Sequence, residues 1–343
     1  MKKLPIIALF LTLICSIQIA AQTAQELFAR GRSQYDAKQY EAAIATFQQY
    51  LAKTPGDPGA YVNIGLSHQA LNRHLEAVEA FRNANIHRAG DARTHYQLGR
   101  SYYNLERFDE AIGALREAVR INPNYVTAFV MLGNAYDDKK LYNDAVAAYR
   151  KAIAIDPKDS WPHYELGIAQ ARQKDYTGAI ASYREAVRLK PDYVNAWVEL
   201  GGSYNRTRRY PDAIAAFKEA IRLEPANEEA YNGMGNSYYD DGKYGDSIAF
   251  YRKATELDPK WTMAHSNLGY AYRQTRQFPL ALQSFRTALV VNPRDADSIY
   301  GMGLVFIDQN NLPLAREQKI KLDLVDASLA VTLQGKITAA TPK

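Results

Sequence analysis

The amino-acid sequence predicts an all-α protein, an α-solenoid built from tandem pairs of antiparallel helices. Three independent series of residues share one period of 34, and this shared period indicates an internal repeat. The glycine series is Gly31, Gly65, Gly99, Gly133, Gly167, Gly201, Gly235, Gly269 and Gly303. The series of small residues is Ala43, Ala77, Ala111, Ala145, Ala179, Ala213, Ser247, Ala281 and Ala315. The proline series is Pro55, Pro123, Pro157, Pro191, Pro225, Pro259 and Pro293.

The chain starts with a segment that has the layout of a secretory signal peptide. Lys2 and Lys3 are followed by an apolar stretch over residues 4–17, and small residues precede Gln22. This layout predicts export and cleavage after Ala21. The alternative is an uncleaved anchor in the inner membrane. The apolar stretch has 14 residues, however, and a spanning helix needs ~20.

The unit over residues 126–159 shows how one repeat is expected to fold. Its first helix places Phe129 and Tyr136 on one face, at the spacing of an amphipathic helix. Its second helix has a similar face, and the short polar segment between them predicts antiparallel packing. A glycine within a helix costs ~1 kcal/mol relative to alanine. We expect Gly133 to offset this cost by letting the second helix approach closely near Ala145.

The period divides the chain into three parts. Residues 1–21 form the signal peptide, residues 22–329 hold nine repeats, and residues 330–343 form a C-terminal capping helix and tail. The repeats span 24–57, 58–91, 92–125, 126–159, 160–193, 194–227, 228–261, 262–295 and 296–329. Leu329, Leu333 and Ile337 have helical spacing, which predicts a short capping helix over residues 328–337.

The repeated unit resembles the tetratricopeptide repeat, a helix pair of 34 residues. That family's pattern of aromatic, Leu-Gly, Tyr, Ala, aromatic and Pro is matched by Trp197, Leu200, Gly201, Tyr204, Ala213, Phe217 and Pro225. The resemblance covers 306 of the 343 residues and departs from the pattern at Arg30 and Lys319. Such departures are expected in the end repeats, where one face meets water. The resemblance implies a right-handed superhelix of antiparallel helix pairs whose first helices line a concave face.

Composition argues against a nucleic-acid partner. The chain has 42 Lys and Arg residues against 37 Asp and Glu residues. Since Lys2 and Lys3 leave with the signal peptide, the mature chain is close to neutral. No polybasic tail is present. The only membrane association that we expect is through an uncleaved N-terminus.

The ionisable residues predict no metal site and no cofactor. His95, His163 and His265 share one position of the repeat with Trp197, and this position faces the neighbouring helix. We therefore expect them to pack there rather than to bind a metal. The acidic pairs at 137–138 and 240–241 lack the spacing of a calcium-binding loop, so we expect solvated helix ends.

An enzyme is not expected. Cys15 is the only cysteine and lies in the signal peptide, so the mature chain has no thiol chemistry. The remaining residues show no phosphate-binding glycine pattern and no Ser/His/Asp spacing. Some glycosyltransferases carry similar arrays in front of a catalytic domain, but this chain ends 14 residues after its last repeat.

A binding surface is predicted on the face of the first helices that points away from the second helices. The residues predicted to line this groove are Tyr96, Arg100, Tyr103, Asn134, Trp161, Tyr164, Arg172, Asn205, Arg206, Asn236, Tyr239, Tyr270 and Arg273. Tyrosine and arginine are enriched in binding hot spots. The alternative is that the tyrosines serve packing alone.

Two arginines suggest what the groove binds. Arg172 and Arg206 occupy the same position one repeat apart, so we expect them side by side, ready to bind carboxylates. The alternative is that both are solvated helix ends, within a general basic surface to which Arg208 and Arg209 belong. If the groove binds, we expect Arg208 and Arg209 to lie outside it and to matter little.

The sequence therefore predicts an exported scaffold that binds a segment of a partner protein. We expect it in the periplasm of a bacterium with two membranes, or secreted. Two alternatives remain open: an envelope module that binds polysaccharide or peptidoglycan, and an accessory subunit anchored in the inner membrane.

Overall fold

A computed structural model describes residues 23–341, in which every regular element is an α-helix. The predicted signal peptide and its cleavage site lie outside the described residues. Within them, the prediction of an all-α solenoid is confirmed. No helix in this range has both the length and the hydropathy that crossing a bilayer requires.

Helices of 13 and 14 residues alternate along most of the chain. Helix α1 spans residues 23–36. The others are α2 (Tyr40–Lys53), α3 (Pro58–Ala70), α4 (His74–His87), α5 (Ala92–Asn104), α6 (Phe108–Ile121), α7 (Val126–Asp138), α8 (Tyr142–Ile155), α9 (Ser160–Arg172), α10 (Tyr176–Leu189), α11 (Val194–Arg206), α12 (Tyr210–Leu223), α13 (Glu228–Asp240), α14 (Tyr244–Leu257), α15 (Thr262–Gln274), α16 (Phe278–Val291), α17 (Ala296–Asp308), α18 (Leu312–Asp323) and α19 (Ala327–Ala340).

Each pair of helices is joined by a tight turn with a left-handed residue at one fixed position. This residue is Lys38, Asn72, Glu106, Lys140, Lys174, Arg208, Gly242, Arg276 or Asn310, and each has a positive φ. In the turn after α7, the backbone N–H of Leu141 donates to the carbonyl of Tyr136 at 2.8 Å. This bond closes the helix C-terminus in the manner of a Schellman motif.

Seven of the nine glycines in the 34-residue series lie under a large side chain of the second helix. A Cβ added to Gly133 would lie 2.5 Å from Cε1 of Tyr149. The same contact joins Gly65 to Phe81, Gly99 to Leu115, Gly201 to Phe217, Gly235 to Tyr251 and Gly269 to Phe285. The expected close approach is present, and a large side chain of the second helix fills the space over each of these glycines.

The described chain forms two compact units, which meet in sequence at Ala169 and Gln170. In each unit the first helices of neighbouring repeats contact one another, as in α3–α5, α5–α7, α11–α13 and α13–α15. The second helices of the described range contact first helices, and the last second helix, α18, also contacts α19. The first helices therefore form the inner face of each unit, and this is the face on which the groove was predicted.

The C-terminal unit ends in a helix that completes its core. Helix α19 begins at Ala327, before the boundary of 330 predicted for this segment. Its Leu333 is fully buried and lies over Gly303. A Cβ added to Gly303 would lie 2.5 Å from Cδ2 of Leu333. In seven other repeats this place is taken by the side chain 16 residues after the glycine, and the residue at that spacing here is Lys319. A lysine cannot be buried there without a partner, so the capping helix supplies the apolar side chain.

Candidate functional site

The C-terminal unit has a cavity of ≈ 940 Å³ on its inner face, across α11, α13 and α15, which we call the groove cavity. Its residues from α11 and the following turn and helix are Gly202, Asn205, Arg206, Arg208, Tyr210 and Phe217. Its residues from α13 to α15 are Gly233, Asn236, Tyr239, Asp240, Tyr251, Asn267 and Tyr270. The lining is mixed, with aromatic rings, amides and charges.

Two glycines outside the 34-residue series make room for the groove cavity. A Cβ added to Gly202 would meet nothing within 4 Å, so its position faces open space. Gly233 contacts the ring of Phe217 so closely that any side chain there would collide with it. The same ring also packs on Gly201. Phe217 is therefore held between neighbouring first helices and forms part of the cavity wall.

Three asparagines cross the groove cavity on consecutive first helices. Asn236 Oδ1 accepts from the hydroxyl of Tyr251 at 2.8 Å, and it also accepts from Nδ2 of Asn267 at 3.3 Å. Asn205 Nδ2 donates to the carbonyl of Gly233 at 3.2 Å. The Oδ1 atom of Asn205 is buried and has no hydrogen-bond partner. A buried acceptor without a partner is costly, so this atom favours a ligand that brings a donor.

Charged groups of both signs lie in the groove cavity. Arg206 and Arg208 are exposed, and both lie close enough to Asp240 to act on its carboxyl. Burial raises the pKa of Asp240, and the two arginines oppose this rise. The two arginines outnumber Asp240, so the lining carries one positive charge in excess.

Two tyrosines of the groove cavity are held by the protein itself. The hydroxyl of Tyr270 donates to the carbonyl of Asp297 at 2.8 Å, and its ring packs edge-on against Phe285 at 5.1 Å. Tyr239 accepts from Gln274 at 3.2 Å. Burial raises the pKa of both phenols, so they remain neutral. They shape the cavity as rigid walls.

The structure brings five of the predicted groove residues together in the groove cavity: Asn205, Arg206, Asn236, Tyr239 and Tyr270. Arg172 is not among the cavity residues, and its charge acts on Glu199 instead, where it lowers a pKa that burial and Glu229 raise. Arg273 forms an ion pair with Asp308, at 2.6 and 3.1 Å. The prediction that Arg172 and Arg206 serve one site side by side has no support in the cavity lining.

The predicted residues of the N-terminal unit mostly join one repeat to the next or stabilise their own repeat. Tyr96 packs against the ring of Tyr125, Arg100 donates to Gln69, and Tyr103 donates to Asp138. Asn134 accepts from the hydroxyl of Tyr149, and Trp161 donates to Glu165 at 2.8 Å. Tyr164 is half-buried on α9. Much of the predicted face thus serves cohesion of the array.

Two expectations about charged residues are wrong. Asp137 was expected to be solvated, but it is only 8% exposed, because α7 turns its side chain inward. Asp240 is exposed at the end of α13, as expected, and it also lines the groove cavity. Arg208 was expected outside the groove, and its left-handed turn directs it into the cavity lining. Arg209 does lie outside, where it pairs with Asp212.

The histidines lie at one recurrent contact between helices. The ring nitrogen of His95 lies 3.0 Å from the carbonyl of Ala89, and His265 lies 3.0 Å from that of Pro259. Trp197 makes the same contact with Pro191, at 2.9 Å. These histidines hold the junction between repeats, as the packing interpretation predicts. Within residues 23–341, no cluster of three His, Cys, Asp or Glu side chains could hold a metal ion.

Sequence reasoning missed Gly233 and Asn267 as groove residues. Asn267 and Gly233 occupy the sixth position of the repeat, which was not assigned to the inner face. One signal was available for Gly233 and Gly301. Each follows a repeat that has phenylalanine in its second helix, and each contacts that ring. These two glycines therefore mark places where a phenylalanine ring contacts the first helix of the next repeat.

Glu165 is a carboxyl whose charge is costly in the folded state. Burial raises its pKa, the hydrogen bond from Trp161 lowers it, and the charge of Asp138 raises it. An acid with a raised pKa destabilises the folded state once it ionises. The free energy of unfolding of the wild type should thus fall as the pH rises from about 4.3, the ordinary pKa of a glutamate, to the raised pKa that Glu165 has in the folded state.

Glu165→Gln should therefore stabilise the protein at neutral pH, because Gln removes the charge and still accepts from Trp161. The midpoint of urea unfolding should be higher for the variant at pH 7, and the two midpoints should converge below pH ~4, where both states bind the proton. A difference that is the same at both pH values would show that the charge of Glu165 is not its cause.

Comparison with known families identifies the repeat. One family model described as tetratricopeptide repeat matches residues 96–160 and 266–322. A second model with the same description matches residues 148–181. One described as TPR repeat matches 171–207, 208–242 and 235–276, and one described as anaphase-promoting complex, cyclosome, subunit 3 matches 36–118. The chain belongs to the tetratricopeptide repeat family. Proteins of this family generally bind proteins or peptides and are generally not enzymes, so the chain is a protein-interaction scaffold.

Solved structures share the fold. A tetratricopeptide repeat protein from Parabacteroides merdae matches with a TM-score of 0.59 at 13% identity, over 72% of this chain and 98% of that one. The C-terminal part of a TPR repeat-containing protein from Cytophaga hutchinsonii matches at 0.54 and 18%, over 80% and 99%. MamA matches at 0.46 and 28%, over 48% and 95%. No curated protein matches the sequence.

Proposed function

We propose that the protein binds an extended segment of a partner protein in the groove cavity. The observation that carries this proposal is a cavity of ≈ 940 Å³ crossed by amides on three consecutive helices. An extended polypeptide presents N–H and C=O groups that need partners when water is excluded. Asparagine offers both a donor and an acceptor, so Asn205, Asn236 and Asn267 suit a peptide backbone.

The size of the groove cavity suits a short peptide. Three first helices at interaxial distances of ~10 Å span ~20 Å, which about six residues of extended chain cover at ~3.3 Å each. A sugar-binding groove would instead need open aromatic faces. The ring of Tyr270 packs edge-on against Phe285, and that of Phe217 is held between glycines. These contacts favour a peptide over a glycan.

A variant that fills the groove cavity tests this function. Gly202 faces open space, so Gly202→Trp should occupy the cavity without displacing the core. A phage library of unstructured peptides is selected on the wild-type protein, and the enriched peptides are measured by fluorescence anisotropy. Binding should be lost in Gly202→Trp and kept in Gly113→Trp. Gly113 is an exposed mid-helix glycine of α6 that also faces open space. If Gly202→Trp bound the peptides as tightly as Gly113→Trp does, the binding site would lie outside the groove cavity.

We also propose that the scaffold acts after export, in the periplasm or outside the cell. Lys2 and Lys3 followed by the apolar stretch over residues 4–17 support a cleaved signal peptide. Mass spectrometry of the native protein should find an N-terminus at Gln22. A chain that begins at Met1 in washed membranes would instead support the anchored accessory subunit.

A further inference from the structure

The N-terminal unit has a separate cavity of ≈ 610 Å³ on the inner face of α1, α3 and α5, which we call the arginine cavity. Its lining includes four arginines, Arg32, Arg88, Arg93 and Arg100, against two acids, Asp36 and Asp91. The positive charge is thus in excess.

Three of these arginines have no hydrogen-bond or ion-pair partner among the described residues. Arg100 donates to Gln69 at 2.6 Å. Arg32, Arg88 and Arg93 are exposed, and within residues 23–341 their side chains make no hydrogen bond and no ion pair. On the second helices or at their N-caps, in contrast, several arginines pair with an acid three residues away: Arg107–Glu110, Arg120–Glu117, Arg188–Glu185, Arg209–Asp212 and Arg222–Glu219.

The acids of the arginine cavity do not neutralise it. The carboxylate of Asp91 caps α5, where it accepts from the backbone N–H groups of Arg93 and Thr94 and from the hydroxyl of Thr94. Its lone pairs are therefore used at the helix N-terminus, as in an ordinary N-cap. Asp36 remains as the only other negative charge in the lining.

A buried acceptor adds a second requirement. Gln97 is 8% exposed and lines the arginine cavity, and its Oε1 atom is buried with no hydrogen-bond partner. Its neighbour Gln69 is fully occupied, since its amide donates to Ser101 and to the carbonyl of Gln97 and its oxygen accepts from Arg100. An N–H donor brought by a ligand would satisfy Gln97. A chloride or sulfate ion carries no donor at all.

We propose that the arginine cavity binds an acidic peptide segment, whose carboxylates pair with Arg32 and Arg93 and whose backbone N–H reaches Gln97. Guanidinium groups bind carboxylates through paired hydrogen bonds. Tyr35 and Leu66 offer apolar walls for the stems of the acidic side chains. This second site does not depend on whether the groove cavity of the C-terminal unit binds.

The test uses a fluorescein-labelled peptide of alternating glutamate and alanine with the full chain, measured by anisotropy. Replacing both Arg32 and Arg93 with Gln should raise Kd at least about tenfold. The matched control replaces Arg116 and Arg150, exposed arginines of α6 and α8 outside both cavities, with Gln. It should leave Kd unchanged. Equal losses in the two double variants would reveal non-specific charge attraction and overturn the site.

Two further arms separate the alternatives. Gln97→Leu should weaken the peptide about threefold without lowering the urea midpoint, because it removes an acceptor that has no partner. Free glutarate carries the same carboxylates without an amide, so it should compete only weakly. If glutarate displaced the labelled peptide as fully as unlabelled peptide does at the same concentration, the peptide assignment would be overturned. Gly202→Trp should leave this Kd unchanged, and a loss in that variant would assign the peptide to the groove cavity.

Discussion

Replacing Gly133 with Leu should destabilise the array by ~1–3 kcal/mol or more and split its unfolding into two steps. Even a methyl group at this position would lie 2.5 Å from Cε1 of Tyr149, closer than real carbon contacts. Tyr149 is 1% exposed, so its ring cannot move aside without opening the core. Repeats contact only their neighbours, so damage to one interface should separate the segments on either side.

The matched control is Gly113→Leu on α6, where an added side chain meets nothing within 4 Å. There the substitution should stabilise the helix by up to ~1 kcal/mol, because glycine is a poor helix former. Calorimetry and circular dichroism should show a second transition for Gly133→Leu and a single one for the control. If both variants melt like the wild type, close packing is not the reason for the glycine series.

The fold could be predicted because its determinants are local and recur. Gly133 and Tyr149 are 16 residues apart and belong to one helix pair. Each repeat restates this relation, so a single period exposes it. The closing prolines, such as Pro157, act within their own helix end. Even where the pattern fails at Lys319, the structure restores the contact through Leu333, and the sequence indicated an apolar capping helix there.

The candidate site was harder to predict, because its contacts join one repeat to the next. Asn267 donates a hydrogen bond to Asn236, 31 residues earlier, and Arg273 donates one to Asp308, 35 residues later. The period shows which residues share a face, but not which of them satisfy one another. Arg273 has the residue type and the position expected of a binding residue, but its side chain is already paired with Asp308.

Turn geometry was the other missing information. Arg208 occupies the left-handed position that Asn72 and Asn310 hold in other repeats. Nothing in a run of arginines shows which one takes this conformation. The backbone directs Arg208 into the groove cavity and leaves Arg209 on the outside, over the ring of Tyr204 at 4.5 Å. Adjacent residues of one type therefore have different roles.

Removing the two arginines of the groove cavity should weaken peptide binding by roughly 2 kcal/mol, which is about thirtyfold in Kd. The variant combines Arg206→Gln with Arg208→Asn. Gln274 and Asn310 occupy the corresponding positions of other repeats, so both replacements suit their backbone. The loss is expected because Asp240 then remains as the only charge in the cavity.

The control combines Arg172→Gln with Arg209→Gln, which removes the same charge outside the groove cavity. The pair between Arg209 and Asp212 is exposed, so its loss should cost little stability. Peptides selected on the wild type should bind this control with unchanged Kd at ~0.15 M salt, where exposed charges more than ~8 Å away are screened. Equal losses in both variants would mean that the basic surface attracts peptides without a defined site. If neither variant loses affinity, the arginines have no part in binding, and the amides of Asn205, Asn236 and Asn267 would have to hold the peptide alone.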